Sequence, residues 1–160
     1  MFTQNLHAHG QFDDGKSSIE EMILASKAAG LESLGLSIHC PLPYESVWAC
    51  PKEKMEEYVR TVRCLQEKYA GSMEIFLGVE WDTIARDFDL SPFDYAIGSV
   101  HHLPLAGMAP AQYPSVDESV EATARSVETY FGGDADAFAR AYFAEVKKVA
   151  QKDGEGRGSF

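Results

Sequence analysis

The sequence predicts an α/β fold in which helices cover a parallel sheet, and three observations support this prediction. Short apolar segments alternate with segments of helical periodicity along the chain. Two of the apolar segments, 73–79 and 95–100, are nearly free of polar residues, as expected for strands buried on both faces. All five histidines lie at or just past the end of a predicted strand, the edge at which parallel α/β folds bind ligands.

The beginning of the chain predicts a short strand followed by a helix. The strand ends within 5–10 and enters a loop. Ser17 and Glu20 have the spacing of a capping box, which predicts that the first helix begins there. Apolar residues then recur at helical spacing as far as Gly30, which is expected to end the helix.

Two more strands and a helix follow. Residues 33–38 predict the second strand, and residues 73–79 predict the third. Between them, Pro51 is expected to begin a helix with a regular apolar side, and Gly71 is expected to end it. Residues 95–100 predict a fourth strand of the same buried kind as the third.

The last third of the chain predicts two helices, one over 120–131 and one that begins after Asp134. The apolar side of the second helix carries Phe138, Tyr142, Val146 and Val149. We expect a single domain over 1–152, because 160 residues are too few for two ordinary domains. The glycine-rich residues 153–160 have no periodicity and are expected to be a disordered tail.

Composition narrows the class of protein. With 45% hydrophobic and 24% charged residues, the chain has the composition of a soluble globular protein. A net charge of −11 makes nucleic acid and membrane surfaces poor partners. No apolar segment approaches the length of about 20 residues that a membrane span needs, and the first residues do not resemble a signal peptide. Three cysteines without Cys-x-x-Cys spacing indicate a reducing, cytoplasmic environment.

The histidines and one acidic residue predict a metal site. His7 and His9 alternate on an extended chain, so that both imidazoles point to the same side. This pair is a weak signal alone, but His39, Glu80 and His101 follow at the ends of three further strands. Imidazole and carboxylate ligands suit Zn, Mn or Fe, and multi-metal sites of this composition hydrolyse phosphate esters.

Asp14 has two interpretations. Asp-Gly is a favoured turn pair, so Asp14 and Gly15 are compatible with an ordinary turn in the loop after the first strand. The same position is also suited to a further carboxylate ligand. Spacing alone leaves both interpretations open.

Four segments form a pattern typical of a known family. They are His7-Ala8-His9 with Asp14-Gly15, Ser37-Ile38-His39-Cys40-Pro41, Gly78-Val79-Glu80-Trp81-Asp82, and Phe93-Asp94-Tyr95-Ala96-Ile97-Gly98-Ser99-Val100-His101-His102. In this order they resemble the polymerase-and-histidinol-phosphatase (PHP) superfamily, and its histidinol-phosphatase branch in particular. The resemblance extends to about Lys152 and implies a distorted (βα)7 TIM-like barrel with two or three Zn, Mn or Fe ions at its C-terminal mouth.

The resemblance also assigns roles to individual residues. It implies that the metal ligands are His7, His9, Asp14, His39, Glu80 and His101. Glu80 would be the carboxylate that bridges the metals, and Glu80 and His101 would be the catalytic residues. Arg140 resembles an arginine that the branch uses to hold substrate phosphate, although a solvent-facing helix arginine is an equally good interpretation of that position.

The chain departs from the family pattern after His102. Related enzymes continue with a Gly-His motif and an Asp-x-His motif that supply further ligands, and no histidine follows His102 here. We therefore expect the N-terminal part of the barrel, from a truncation, a frameshift or a split protein. An incomplete barrel would expose a sheet edge and favour association with another chain.

The resemblance implies hydrolysis of a small-molecule phosphate ester, with L-histidinol phosphate of histidine biosynthesis as the substrate. The residues themselves do not fix the alcohol, so another phosphoester remains an alternative. A further alternative is an inactive fragment that binds metal without turnover.

Overall fold

The computed structural model describes residues 3–156, except for the side chains of 152–156. The elements are β1 (Gln4–Asn5), α1 (Ile19–Ala28), β2 (Ser33–Leu36), α2 (Met55–Lys68), β3 (Glu74–Asp82), β4 (Tyr95–Ser99), α3 (Val120–Phe131) and α4 (Ala135–Gly156). Short 3₁₀ helices occupy Lys52–Lys54 and Pro110–Gln112. The strands form one sheet in the order β1-β2-β3-β4. None of the helices within 3–156 combines the length and apolar character that crossing a membrane requires.

The parallel sheet predicted from the sequence is confirmed. β1 pairs with β2, and β2 pairs with β3, in both cases in parallel. The chain divides into two compact units. The first contains the chain through Trp81 together with 87–97, and the second contains 82–86 and the chain from Gly98 onward.

The core of the first unit lies between the sheet and its two helices. All four residues of β2 are buried, and so are all residues of β3 from Leu77 onward. Ile19 and Ile23 of α1 and Tyr58, Val62 and Leu65 of α2 are the helical residues buried against them. Each fully buried aliphatic side chain contributes about 1.5–3 kcal/mol to folding, so these two predicted apolar sides hold the helices on the sheet.

The capping box of α1 lies one residue later than the sequence predicts. Ser18, not Ser17, caps the helix: its hydroxyl accepts from the Glu21 backbone N–H at 3.2 Å, and the Glu21 carboxylate accepts from the Ser18 N–H at 2.8 Å. Ser17 and Ser18 are adjacent, and so are Glu20 and Glu21, so the capping-box spacing occurs in both registers. The observed register buries Ile19 at the first helical position, where it is 1% exposed.

The prediction that β4 is buried on both faces is wrong. Its residues alternate between half-buried and exposed, with Ala96 and Gly98 on the exposed side. The apolar sequence of this strand resembles that of β3, but β4 lies at the end of the strand order and has a single neighbouring strand. A strand at this position is less enclosed than an inner strand of similar composition.

The second unit contains the helical pair predicted near the end of the chain. The Ser119 hydroxyl caps α3, and Gly132 follows it in the left-handed conformation with φ of 62°. The rings of Phe131 and Phe138 meet edge to face with centroids 5.4 Å apart, which joins α3 to α4. α4 continues to Gly156 and so includes the first residues of the expected tail, whereas 157–160 lie outside the described residues. The domain boundary at 152 stays a prediction.

Candidate metal centre

Three histidines converge on one carboxylate oxygen in the first unit. The Oε2 atom of Glu80 lies 3.0 Å from His7 Nε2, 3.2 Å from His9 Nε2 and 3.4 Å from His39 Nδ1. The Glu80 side chain is 6% exposed, whereas the His7 side chain is 51% exposed. The sheet therefore presents a buried acid at its C-terminal edge, with imidazoles around it.

The strand ends explain this convergence. β2 and β3 resume their parallel pairing just beyond the regular ladder, where His39 is the partner of Glu80. Two backbone hydrogen bonds of 2.9 Å hold this position, from the Cys40 N–H to the Glu80 carbonyl and from the Glu80 N–H to the Ile38 carbonyl. His7 and His9 follow β1 and alternate along the extended chain, so that both reach the same carboxylate.

The nitrogen-to-oxygen separations around Glu80 are close to the spacing between two ligands of a tetrahedral cation. Zinc bonds to imidazole nitrogen and carboxylate oxygen are about 2.0–2.2 Å long, so two ligands of one tetrahedral ion lie about 3.4 Å apart. The measured separations of 3.0, 3.2 and 3.4 Å agree with this spacing. His7, His9 and Glu80 form one group of potential ligands, and His9, Asp13, Asp14 and His39 form another. These residues therefore fit a divalent cation in both chemistry and spacing.

Asp13 is the functional residue that the sequence analysis missed. Its side chain is fully buried, and its Oδ2 lies 2.6 Å from His9 Nδ1. The same oxygen accepts the His39 backbone N–H at 2.9 Å, while Oδ1 accepts the Gly10 N–H at 3.1 Å. An acceptor at Nδ1 favours the tautomer of His9 that leaves Nε2 available toward Glu80. The adjacent acids Asp13 and Asp14 were the feature of the sequence that could have indicated this role. When two acids follow each other near a histidine pair, one side chain can face the interior and the other the solvent.

Asp14 lies at the outer position. Its side chain is 50% exposed, and its Oδ1 is 3.4 Å from His9 Nδ1. It belongs to the second group of potential ligands and also sits in the predicted turn. The two interpretations of the sequence are thus compatible at this residue, and its role as a ligand stays a prediction.

The surroundings of His9 favour positive charge. The hydrogen bond to Asp13 and a second one to Glu80 raise the pKa of His9 to about 10, although partial burial of the ring opposes the shift. The carboxylates on both sides of the ring therefore stabilise the protonated, positively charged form of His9. The same electrostatic preference suits a divalent metal.

His101 lies in the second unit, where a buried acid holds it. Its Nδ1 is 2.9 Å from Oδ2 of Asp82, and the same oxygen accepts the His101 backbone N–H at 3.2 Å. Asp82 is only 2% exposed, and its Oδ1 also accepts the Ile84 N–H at 2.9 Å. This arrangement favours the tautomer with Nε2 as the ligand or acceptor atom. The assignment of His101 as a metal ligand stays a prediction.

Arg140 lies on α4 with its side chain 70% exposed. Its Nη2 is 3.6 Å from Oδ2 of Asp134, the residue just before the helix. The position agrees with the solvent-facing interpretation of this arginine. Its proposed contact with substrate phosphate stays a prediction.

Comparison with known proteins places this arrangement in a family. A solved structure from Listeria monocytogenes, provisionally assigned as the histidinol phosphatase hisK, superimposes with a TM-score of 0.62 at 20% identity, over 75% of this chain and 51% of its own. At this identity the likeness shows the fold, which corresponds to part of a TIM-like PHP barrel, as the sequence predicts. A Deinococcus radiodurans protein named probable histidinol-phosphatase is 32% identical over 92 residues.

The matched regions differ in extent. The Deinococcus alignment covers 52% of this chain and 35% of the relative, so the chain spans about a third of the curated relative and half of the solved one. The family model for the PHP domain matches residues 5–153, nearly the whole chain. The chain therefore belongs to the PHP domain family.

Proposed function

We propose that this protein is a metal-dependent phosphoester hydrolase. The observation that carries the proposal is the convergence of His7, His9 and His39 on a single oxygen of Glu80, with separations of 3.0–3.4 Å. Membership of the PHP domain family and the name of the Deinococcus relative support it.

We assign the cation-holding role to the residues that the sequence identified. These are His7, His9, Asp14, His39, Glu80 and His101. Glu80 is buried and contacts three imidazoles, which makes it the best placed to bridge two ions. His101 is retained because the family resemblance implies it, and its hydrogen bond to Asp82 holds its ring in a defined orientation.

The chemistry divides between the bound cations and the side chains. When bound, divalent ions supply Lewis acidity and make a water molecule nucleophilic at neutral pH. Glu80 and the histidines would hold these ions, and buried Asp13 keeps the His9 ring from rotating. Arg140 would neutralise charge on the phosphate oxygens, because a guanidinium matches phosphate geometry.

We propose L-histidinol phosphate as the substrate, in cytoplasmic histidine biosynthesis. The name of the Deinococcus relative and the 93–102 motif of the histidinol-phosphatase branch support this choice. Among the described residues, Cys40, Cys50 and Cys64 form no disulfide, which agrees with a reducing compartment.

A panel of phosphomonoesters tests the substrate. The protein is loaded with Mn²⁺ or Zn²⁺, and kcat/KM is measured for histidinol phosphate, a nucleotide, phosphotyrosine and phenyl phosphate. We expect histidinol phosphate to be preferred by at least about tenfold, equivalent to about 1.4 kcal/mol of transition-state stabilisation. Equal rates on phenyl phosphate would contradict the substrate assignment but not the hydrolase proposal.

A second candidate is a metal-binding chain without turnover. The chain spans 35% of the curated relative and 51% of the solved structure, so the activity of those longer proteins is a proposal for this chain. Elemental analysis combined with the phosphatase assay separates the two candidates. About two or three equivalents of metal with turnover support the hydrolase, whereas bound metal without hydrolysis of any phosphoester supports this alternative.

We also propose that the sheet edge mediates association. β1 is two residues long, exposed, and the first strand of the sheet order, so its outer backbone groups are available to another strand. Sedimentation velocity at several concentrations tests this proposal. A concentration-dependent shift to a larger species supports association, and a single monomeric species at all concentrations contradicts it.

A further inference from the structure

Tyr95 lies across three strands of the first unit. It begins β4, and its ring packs over Gly78 of β3 and its hydroxyl over Gly35 of β2. A Cβ atom at either glycine would overlap the tyrosine ring or hydroxyl. The two glycines therefore form a groove that lets Tyr95 reach the segment after β1.

The hydroxyl of Tyr95 ends at the backbone beside the histidine pair. It donates to the carbonyl of Leu6, the residue before His7, at 2.6 Å. The Ser37 hydroxyl oxygen accepts the backbone N–H of Ala8, the residue after His7, at 3.2 Å.

The two hydrogen bonds hold the backbone on either side of His7. The Tyr95 hydroxyl donates to the Leu6 carbonyl, and the Ala8 N–H donates to the Ser37 hydroxyl oxygen.

The segment that carries His7 has other restraints as well, and the His7 N–H donates to Asn5 Oδ1 at 3.1 Å. Regular pairing of β1 with β2 ends at Asn5, which lies opposite Leu34. Beyond Asn5, the Ser37 N–H donates to the Ala8 carbonyl at 2.9 Å. This hydrogen bond joins the segment to the chain that leaves β2. The His7 side chain is 51% exposed, so packing holds it only in part. Its position relative to Glu80 therefore depends on the backbone around it.

We propose that Tyr95 and Ser37 are positioning residues that hold His7 in place for cation binding. This inference rests on the proposed function, because it needs the His7, His9 and Glu80 group to bind a cation. The two hydroxyls bind backbone atoms and not the side chains of the proposed cation ligands. They act by fixing the backbone, so their removal weakens binding and leaves the ligand set complete.

The experiment replaces Tyr95 with Phe in the full chain, which removes the hydroxyl and keeps the ring in its groove. Zinc affinity is measured by competition with a chromophoric chelator, and the absorption spectrum of the cobalt-loaded protein reports ligand geometry. We expect zinc affinity to fall about tenfold, the lower end of the effect of losing an outer-shell partner. We also expect the cobalt spectrum to change.

Tyr58 provides a matched control. Its buried hydroxyl lies 2.8 Å from each of two other backbone carbonyls of the sheet, those of Leu36 and Gly78. Tyr58→Phe therefore removes the same group from the same sheet without touching the His7 segment. We expect this variant to be less stable but to keep the zinc affinity and cobalt spectrum of the wild type.

Ser37→Ala keeps the test valid if Tyr95→Phe does not fold. It removes the hydrogen bond on the other side of His7, so it should lower zinc affinity to a similar extent.

The outcomes separate this inference from the proposed function. Wild-type zinc binding with unchanged affinity in Tyr95→Phe and Ser37→Ala would overturn the positioning role and leave the hydrolase proposal standing. Equal loss of affinity in Tyr58→Phe would also overturn it, because the effect would then be general destabilisation. Absence of zinc binding in the wild type would overturn both proposals.

Discussion

At the scale of single residues, the adjacent acids Asp13 and Asp14 have different environments. Asp13 is fully buried and accepts hydrogen bonds from three backbone N–H groups, while Asp14 is half exposed. Consecutive side chains in a turn point in different directions, so the sequence does not reveal which acid faces inward. The inward acid orients His9, and the outward acid remains available to a cation.

Asp13→Asn tests this division. The amide has one acceptor and one donor, so either His9 or the Gly10 N–H would face a donor in a buried place. Leaving such a group unsatisfied costs about 1–3 kcal/mol. We expect urea unfolding to show a loss of this size together with lower zinc content. Asp14→Asn is the control, and it should reduce zinc content without changing stability. Equal stability of Asp13→Asn and the wild type would contradict the assigned role.

Glu80→Ala and His7→Ala test the ligand set directly. An oxygen of Glu80 lies within 3.4 Å of nitrogen atoms of three imidazoles, whereas the His7 imidazole has one such contact, with Glu80. We therefore expect the loss of bound metal to be larger for Glu80. Inductively coupled plasma mass spectrometry of the reconstituted proteins measures it. His102→Ala serves as the control, since His102 lies outside the proposed ligand set. Full metal occupancy in both ligand variants would exclude the site as described.

At the scale of elements, Asp94 ties the start of β4 to β3 and α2. Its carboxylate accepts from the Leu77 N–H at 2.8 Å and the Arg63 guanidinium at 2.7 Å. Gln66 donates to the same carboxylate at 2.9 Å. Burial opposes ionisation of Asp94, but these donors outweigh it and hold the pKa of the carboxyl below its usual range.

This lowered pKa predicts acid sensitivity. The unfolded chain binds a proton at Asp94 near its ordinary pKa of about 3.9, while the folded chain resists protonation to lower pH. The contribution of Asp94 to stability is therefore present above about pH 4 and is lost as pH falls through the folded pKa. Chemical unfolding of the metal-free protein between about pH 5 and pH 2 measures it. Asp94→Asn should be less stable at pH 5, and the difference should shrink toward pH 2. A difference that does not change with pH would contradict this account.

At the scale of the whole molecule, the alternation of strands and helices was predictable because it depends on local periodicity. The positions of His7, His9, His39 and Glu80 were predictable for a related reason. Parallel strands place their carboxyl ends at one edge, so residues that follow different strands meet there. That these side chains lie close together in the first unit was therefore predictable from the sequence, and their role as metal ligands stays a prediction.

The features that were not predictable depend on contacts between distant segments. The cap register of α1 was ambiguous between Ser17 and Ser18, and burial of Ile19 decides it. The exposure of β4 follows from its place in the sheet order, which its apolar composition does not encode. The groove of Gly35 and Gly78 beneath Tyr95 joins three strands, and no local pattern indicates it.

A crystal structure of the full chain, grown with Zn²⁺ and measured at the zinc absorption edge, tests whether His7, His9 and Glu80 hold a cation. We expect an anomalous peak about 2.0–2.2 Å from nitrogen atoms of His7 and His9 and from an oxygen of Glu80. Ordered density for these side chains without an anomalous peak among them, at a zinc concentration that saturates binding in solution, would contradict it.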